Sequence, residues 1–141
     1  MQQEFSEALG LDVGEKNIGV ARVSAVARLP EPVETIQNDD SVFQVIADLC
    51  AEFESDTVVV GLPRNMNSED TPQTKFSRDF AAKLEANGMR VELQDEAMTS
   101  KQAQELIRSG VYKRNLRGSQ VTDDEVAACL ILQDFIGEAR V

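Results

Sequence analysis

Three groups of acids carry whatever chemistry this chain performs. Asp12 lies inside the apolar run Leu9-Gly10-Leu11-Asp12-Val13-Gly14, Asp95 and Glu96 end the run that begins at Val91, and Asp123, Asp124 and Glu125 follow Thr122. The chain has no histidine. That removes Ser-His and Cys-His nucleophilic machinery, and histidine metal sites, from within it, so acid–base or metal chemistry must rest mainly on carboxylates. A carboxylate set among Leu9, Leu11 and Val13 loses water and needs hydrogen bonds, a cation or a metal in compensation. Gly10 and Gly14 leave room beside it for a ligand or another backbone. An aspartate that merely caps its own turn is the competing reading, and this stretch alone does not choose between the two.

Regular elements must position these acids. Asp12 falls in the first arm of a hairpin whose polar turn, Glu15-Lys16-Asn17, leads back through Ile18-Gly19-Val20-Ala21-Arg22-Val23. A weaker third strand is expected over 33–36. Ser41 with Gln44 fits a capping box, and the helix after it stripes Val42, Val45, Ile46, Leu49, Cys50 and Phe53 at helical spacing. Thr57-Val58-Val59-Val60 reads as a strand buried on both faces, ending in the loop 62–67. Thr71-Pro72 reads as N-cap and first position of a helix that stops at Asn87-Gly88. A strand over 91–96 and two more helices complete the chain, each opened by a predicted capping box, at Thr99 and at Thr122. The order βββαβαβα(α) implies a mixed sheet with helices on its faces.

These elements aim the acids. Asp95 and Glu96 are neighbours on a strand, so their side chains point to opposite faces and only one can join a site. Ligand sites in α/β sheets gather at strand C-termini, which suits Glu96. On the last helix Asp124 shares a side with Ala127, Ala128, Ile131 and Phe135, the inward face, whereas Asp123 falls towards Asp134 at the polar edge. A plain preference of acids for a helix N-terminus accounts for Asp123 and Glu125, and less well for Asp124.

Composition sets the limits. The 141 residues, 42% hydrophobic and 28% charged, suit one globular domain with a real core. No apolar run is long enough to span a membrane and no signal-peptide pattern opens the chain. Cys50 and Cys129 lack a CxxC context and read as buried, reduced thiols, which fits a cytoplasmic protein. The net charge of −11 argues against indiscriminate nucleic-acid binding. It is unevenly spread. The stretch holding Lys101, Arg108, Lys113, Arg114 and Arg117, against only Glu105, carries +4 and leaves −15 on the rest, a candidate binding face.

Gly10-Leu11-Asp12-Val13-Gly14 with Lys16 and Ile18-Gly19-Val20-Ala21 opens a set of matching segments. It continues through Val59-Val60-Gly61-Leu62-Pro63, Asn65-Met66, Asp95-Glu96, Thr99, and Asp124 with Ala127-Ala128 and Leu130-Ile131-Leu132-Gln133. On these the chain resembles the Holliday-junction-resolvase-like family of small ribonuclease H-fold proteins, also described as pre-16S rRNA nucleases. No motif alone is specific, but the set in this order is, and it spans nearly the whole chain. The resemblance implies an α/β, ribonuclease H-like, five-stranded mixed sheet flanked by helices, as a single nuclease domain over 1–141. It also implies a carboxylate-bound divalent metal site for Mg²⁺ or Mn²⁺, with Asp12, Glu96 and Asp124 at the catalytic and metal-ligating positions. The implied activity is metal-dependent phosphodiester hydrolysis in 5′-end processing of pre-16S rRNA. Resolution of branched DNA and a non-catalytic nucleic-acid-binding module are the alternatives. Magnesium prefers oxygen ligands and keeps several waters. Two ions about 4 Å apart would activate a water and stabilise the leaving oxygen.

Lys16, Arg64, Lys101, Arg108, Lys113, Arg114 and Arg117 form the expected track for the partner, precursor rRNA or branched DNA. No membrane partner is expected, and homodimer formation is left open. Asn17 stands where the family usually has arginine, Glu15 where it has a small or polar residue, and Asn67-Ser68 where an acid-glycine pair is common. These departures bear on substrate affinity rather than chemistry. An ATP-binding module of the actin-like kinase type shares the Asp-x-Gly hairpin, but needs two domains and a second such motif, more than 141 residues allow.

Overall fold

The computed structural model describes residues 5–96 and 100–137, with backbone alone for 100–103. Its elements are β1 (Glu7–Val13), β2 (Asn17–Ser24), β3 (Glu31–Gln37), α1 (Val42–Glu52), β4 (Thr57–Pro63), α2 (Pro72–Ala86), β5 (Val91–Glu96), α3 (Ser100–Arg108) and α4 (Asp123–Gly137). The strands form one sheet in the order β3-β2-β1-β4-β5. β1, β2 and β3 pair antiparallel as the predicted hairpin and its extension, while β4 joins β1 and β5 joins β4 in parallel. Each parallel pair needs a crossover, and α1 and α2 supply them.

Period-two alternation divides the core. Leu9, Leu11 and Val13 of β1, with Val58 and Val60 of β4, face α1 and α2 over Val42, Ile46, Leu49, Phe80 and Leu84. Ala8, Ala21 and Val59 face the other way, onto Ala128, Ile131, Leu132 and Phe135 of α4. Leu9, Leu11, Ile46, Leu84, Leu132 and Phe135 are almost fully excluded from water, each worth about 1.5–3 kcal/mol of apolar burial. On the α4 side the sheet presents Ala8, Gly10, Gly19 and Ala21, and the α4 backbone lies directly against Gly10 and Gly19. Among the described residues no helix is long and apolar enough to cross a membrane.

The start of α1 differs from expectation. The predicted box at Ser41 does not form. Asp39 Oδ1 accepts from both the Ser41 amide (2.9 Å) and its hydroxyl (2.7 Å), so the serine is spent on the preceding turn. At α2 the expected cap forms, with Pro72 inside it. Thr71 Oγ1 accepts from the Thr74 amide, and Thr74 Oγ1 accepts from the Thr71 amide. The box predicted at Thr99 lies outside the described residues.

Candidate active site

The strand register decides which groups meet. Asp12 pairs with Gly19 on β2, Thr35 of β3 pairs with the same glycine, and Glu96 closes β5 opposite Pro63. The first turn of α4 sits directly on Gly19. A Cβ there would collide with the Asp124 carbonyl and come within 2.7 Å of the Glu125 amide nitrogen. A side chain at Gly19 would therefore lift the helix off the sheet, and its absence seats Asp124 beside Asp12. Gly61 does the same for the third acid, since a Cβ on it would lie 2.9 Å from Glu96 Cγ. Glu96 thus folds over β4 in the direction of β1.

The electrostatics follow from this crowding. Burial, then the charges of Glu96 and Asp124, push the Asp12 carboxyl up to about 8, so it keeps its proton and donates it to the Asp124 carboxylate. Burial raises Asp124 as well, aided by the charges of Asp123 and Glu125, with the hydrogen bond from Asp12 pulling the other way. Glu96 is pushed up to about 7, by burial and then by the charge of Asp134. Among the described residues, no lysine or arginine forms an ion pair with any of the three. Nor does any group of three acid, cysteine or histidine side chains among the described residues stand close enough to grip an ion between them. Asp12 and Asp124 touch, while Glu96 reaches Asp12 through its charge.

Strand alternation separates the two acids of β5. Asp95 points outward and pairs with Arg64 (3.1 Å), whose guanidinium also holds Asp70. Asp123 accepts from Gln104 Nε2 at 3.1 Å. The basic track divides in two. Arg117 is held by Glu52 (2.6 Å) and Glu34 (3.0 Å) and lies over the Phe53 ring at 5.6 Å. Arg117 and Arg64 therefore already have carboxylate partners. Lys16, Arg108, Lys113 and Arg114 are exposed and have none among the described residues. The Lys101 side chain and Thr99 lie outside the described residues.

Four contributors escape sequence reasoning. Gly10 and Gly14 leave room for another backbone, as expected, rather than for a ligand: a Cβ on Gly10 would lie 3.0 Å from the Ala128 carbonyl oxygen of α4, and one on Gly14 2.7 Å from the Asn17 carbonyl oxygen. Gly19 and Gly61 set the site, and the available signal was a lone glycine in a strand interior. Asp134, expected near a polar edge, is half-buried and acts on Glu96. Glu125, read as an acid favoured by the helix terminus, is 1% exposed. It accepts from Thr35 Oγ1 (2.7 Å) and Asn115 Nδ2 (3.1 Å). Thr122 Oγ1 caps the Glu125 amide at 3.2 Å, so half of the expected box forms, while its acid turns inward to tie β3 and the loop before α4 together.

A protein of Lactococcus lactis subsp. cremoris (strain MG1363) named "Putative pre-16S rRNA nuclease" is 38% identical to this chain over 138 residues, 94% of each chain. Among solved structures, Thermus thermophilus RuvC in complex with Holliday junction substrate matches with a TM-score of 0.56 at 14% identity, over 95% of this chain and 98% of that one. The complex of Fowlpox virus resolvase with substrate Holliday junction DNA matches with a TM-score of 0.54 at 13% identity, over 90% and 93%. At such identities the structural likeness is one of fold: the ribonuclease H-like sheet of the resolvases. The family model described as RuvX, Holliday junction resolvase, matches residues 6–138, and the chain belongs to that family.

Proposed function

We propose that this chain is a metal-dependent nuclease, a single domain over 1–141, that hydrolyses phosphodiester bonds in 5′-end processing of pre-16S rRNA. The carrying observation is the contact of Asp12 with Asp124 and the charge of Glu96 felt at Asp12, with Asp12 and Glu96 pushed up to about 8 and 7 and no cationic partner among the described residues. Structural ion-pair networks hold carboxylates low. Raised, unpartnered carboxylates at strand and helix ends mark a functional site. The donor set is all oxygen, which fits Mg²⁺ or Mn²⁺. When bound, such ions supply Lewis-acid activation of water and stabilise the leaving oxygen.

The chain's own groups have distinct parts in this reading. Asp12, Asp124 and Glu96 would hold the ions once Glu96 swings towards the other two, and Asp12 would have to give up the proton it shares with Asp124 to do so. Gly19 and Gly61 keep the acids in register. Lys16, Lys101, Arg108, Lys113 and Arg114 contact phosphates, whereas Arg64 and Arg117 brace loops through ion pairs. The cytoplasm is the location that goes with this role.

A cleavage assay tests the reading, using a 5′-extended pre-16S rRNA fragment and a four-way DNA junction, with Mg²⁺, Mn²⁺ or EDTA. RNA cleavage that needs the divalent ion and disappears in Asp12→Asn and Glu96→Gln is the expected result. Equal cleavage by parent and Asp12→Asn overturns the assignment of the site. Cleavage of the junction alone moves the substrate to branched DNA.

A further inference from the structure

We propose that the surface cavity between the end of α3 and the hairpin before α4 is a subsite for one unpaired nucleotide of the substrate. Its apolar wall takes the base, and Lys113 and Arg114 take the phosphate. The proposal rests on the nuclease reading and names a place for substrate away from the carboxylates. The cavity measures about 420 Å³ and is lined by Ile107, Tyr112, Lys113, Arg114, Gln120 and Val121, a size within the roughly 300–1,000 Å³ of small-ligand sites.

Charge distinguishes this cavity from the rest of the surface. In a chain of net charge −11, most described cations are already engaged. Arg22, Arg64, Lys75, Arg78, Arg90 and Arg117 are ion-paired, and Arg28 donates to the Ile136 carbonyl. Lys113 and Arg114 are adjacent, exposed and without a carboxylate partner among the described residues. Both line a cavity that also presents Ile107, Val121 and the half-buried Tyr112. Two cations beside an apolar wall match a nucleotide, which is an anion joined to a flat, weakly polar ring, and the Gln120 amide can read the edge of that ring.

The rim is also pre-set. Arg114 bridges Gln120, the Val121 amide donates to the Lys113 carbonyl (3.3 Å), and the Asn115 amide donates to the Ser119 carbonyl (2.9 Å). Asn115 is anchored on buried Glu125, the Leu116 amide on the Pro32 carbonyl, and Arg117 on Glu34 and Glu52. Arg117 therefore serves to fix the hairpin on which Lys113 and Arg114 stand, and little ordering remains to be done on binding.

The test is an amide chemical-shift titration of the ¹⁵N-labelled full chain in EDTA, with adenosine 5′-monophosphate, adenosine and inorganic phosphate as separate probes. The monophosphate should shift Ile107, Tyr112, Gln120 and Val121 together and bind more tightly than either fragment. Lys113→Ala/Arg114→Ala should weaken it tenfold or more, while Lys83→Ala leaves it unchanged. Matching shifts from inorganic phosphate alone, no clustered shifts, or undiminished binding in the double variant each overturn the proposal. Because this readout involves no cleavage, its outcome is independent of the metal-site assignment. With single-stranded RNA as nuclease substrate, the double variant should raise KM at least fivefold with kcat retained. An unchanged KM would remove the cavity from the substrate path.

Discussion

Replacing the Asp12 carboxyl by an amide should stabilise the metal-free protein, and the pH dependence fixes the size of the effect. Asp12 has an ordinary value of 3.8 in the unfolded chain and about 8 in the folded one. Below pH 3.8 it is protonated in both states and costs nothing. Above that, the unfolded chain releases a proton that the native state keeps. Stability then falls by about 1.4 kcal/mol per pH unit until the native carboxyl itself ionises near 8. Between pH 5 and 7 that slope amounts to about 2.7 kcal/mol, and partial contact with water lowers it to about 1–2 kcal/mol. Glu96, raised from 4.5 to about 7, acts in the same direction. Asp39 and Glu52, whose carboxyls are lowered by Ser41 and Arg117 respectively, contribute stability that is lost only as pH falls below about 4.5, so they stay out of this window.

Urea unfolding in EDTA at pH 5, 6, 7 and 8 should therefore show the parent losing stability with rising pH. Asp12→Asn should lose less and exceed the parent by about 1–3 kcal/mol at pH 7. Near pH 4 the advantage should vanish, because the amide then replaces a carboxyl that already donates to Asp124. A parent curve that is flat or rising from pH 5 to 7, or a variant weaker than the parent at every pH, would refute the reasoning.

Asp124→Asn should abolish cleavage, whereas Asp123→Asn, which loses only the hydrogen bond from Gln104, should keep most of it; equal losses in an activity assay would contradict the helix register. Gly19→Ala should cost at least 3 kcal/mol in denaturant unfolding, because its Cβ meets the α4 backbone rather than a flexible side chain. Glu125→Ala should lower stability by about 2–4 kcal/mol, leaving Asn115 and Thr35 without their acceptor in a dry site; a loss below about 0.5 kcal/mol would show that water replaces the carboxylate. Replacing Lys113, Arg114 and Arg117 by alanine should flatten the salt dependence of RNA binding by at most about 1.4 in log–log slope, two contacts at roughly 0.7 each, since Arg117 is already paired.

The elements were legible because hydrophobic period decides them locally. Alternation across 7–13 and 17–24, the apolar run at 57–60 and the stripe from Val42 to Phe53 each depend on residues a few positions apart. Antiparallel and parallel pairing then follows from connection length. Alternation likewise separates Asp95 from Glu96 before any coordinates are known. Illegible features depend on partners far along the chain. Glu125 is buried because Thr35, 90 residues away, and Asn115 complete its hydrogen bonds. Arg117 pairs across 83 and 65 positions with Glu34 and Glu52. Nothing near Arg117 distinguishes it from Arg114, so a reading by local charge placed both on one track. Gly19 acquires its meaning only once α4 is laid upon it.

The long-range pairings also account for how so acidic a chain can accept nucleic acid. Among the described residues Arg22, Arg64, Lys75, Arg78, Arg90 and Arg117 are engaged by carboxylates, which leaves little diffuse positive field to hold a duplex at random. The unpaired cations that remain are few, and Lys113 and Arg114 stand together on a hairpin braced by Arg117. At the carboxylates acids crowd together, since Asp12, Asp124 and Glu96 are joined by Asp123, Glu125 and Asp134 with no cationic partner for the central three among the described residues, and the field turns strongly negative once Asp12 and Glu96 release their protons. A phosphodiester cannot approach that face until the charge is neutralised. Neutralisation by protons alone would occupy the lone pairs that hydrolysis needs. In the proposed reading substrate placement and chemistry are thereby separated: the hairpin would hold a strand at any ionic state of the acids, while the acids would admit its phosphate only once their charge is met by divalent cations. An acidic surface in this arrangement favours short or flexible strands that reach both places at once over long duplexes that must lie along the rest of the molecule.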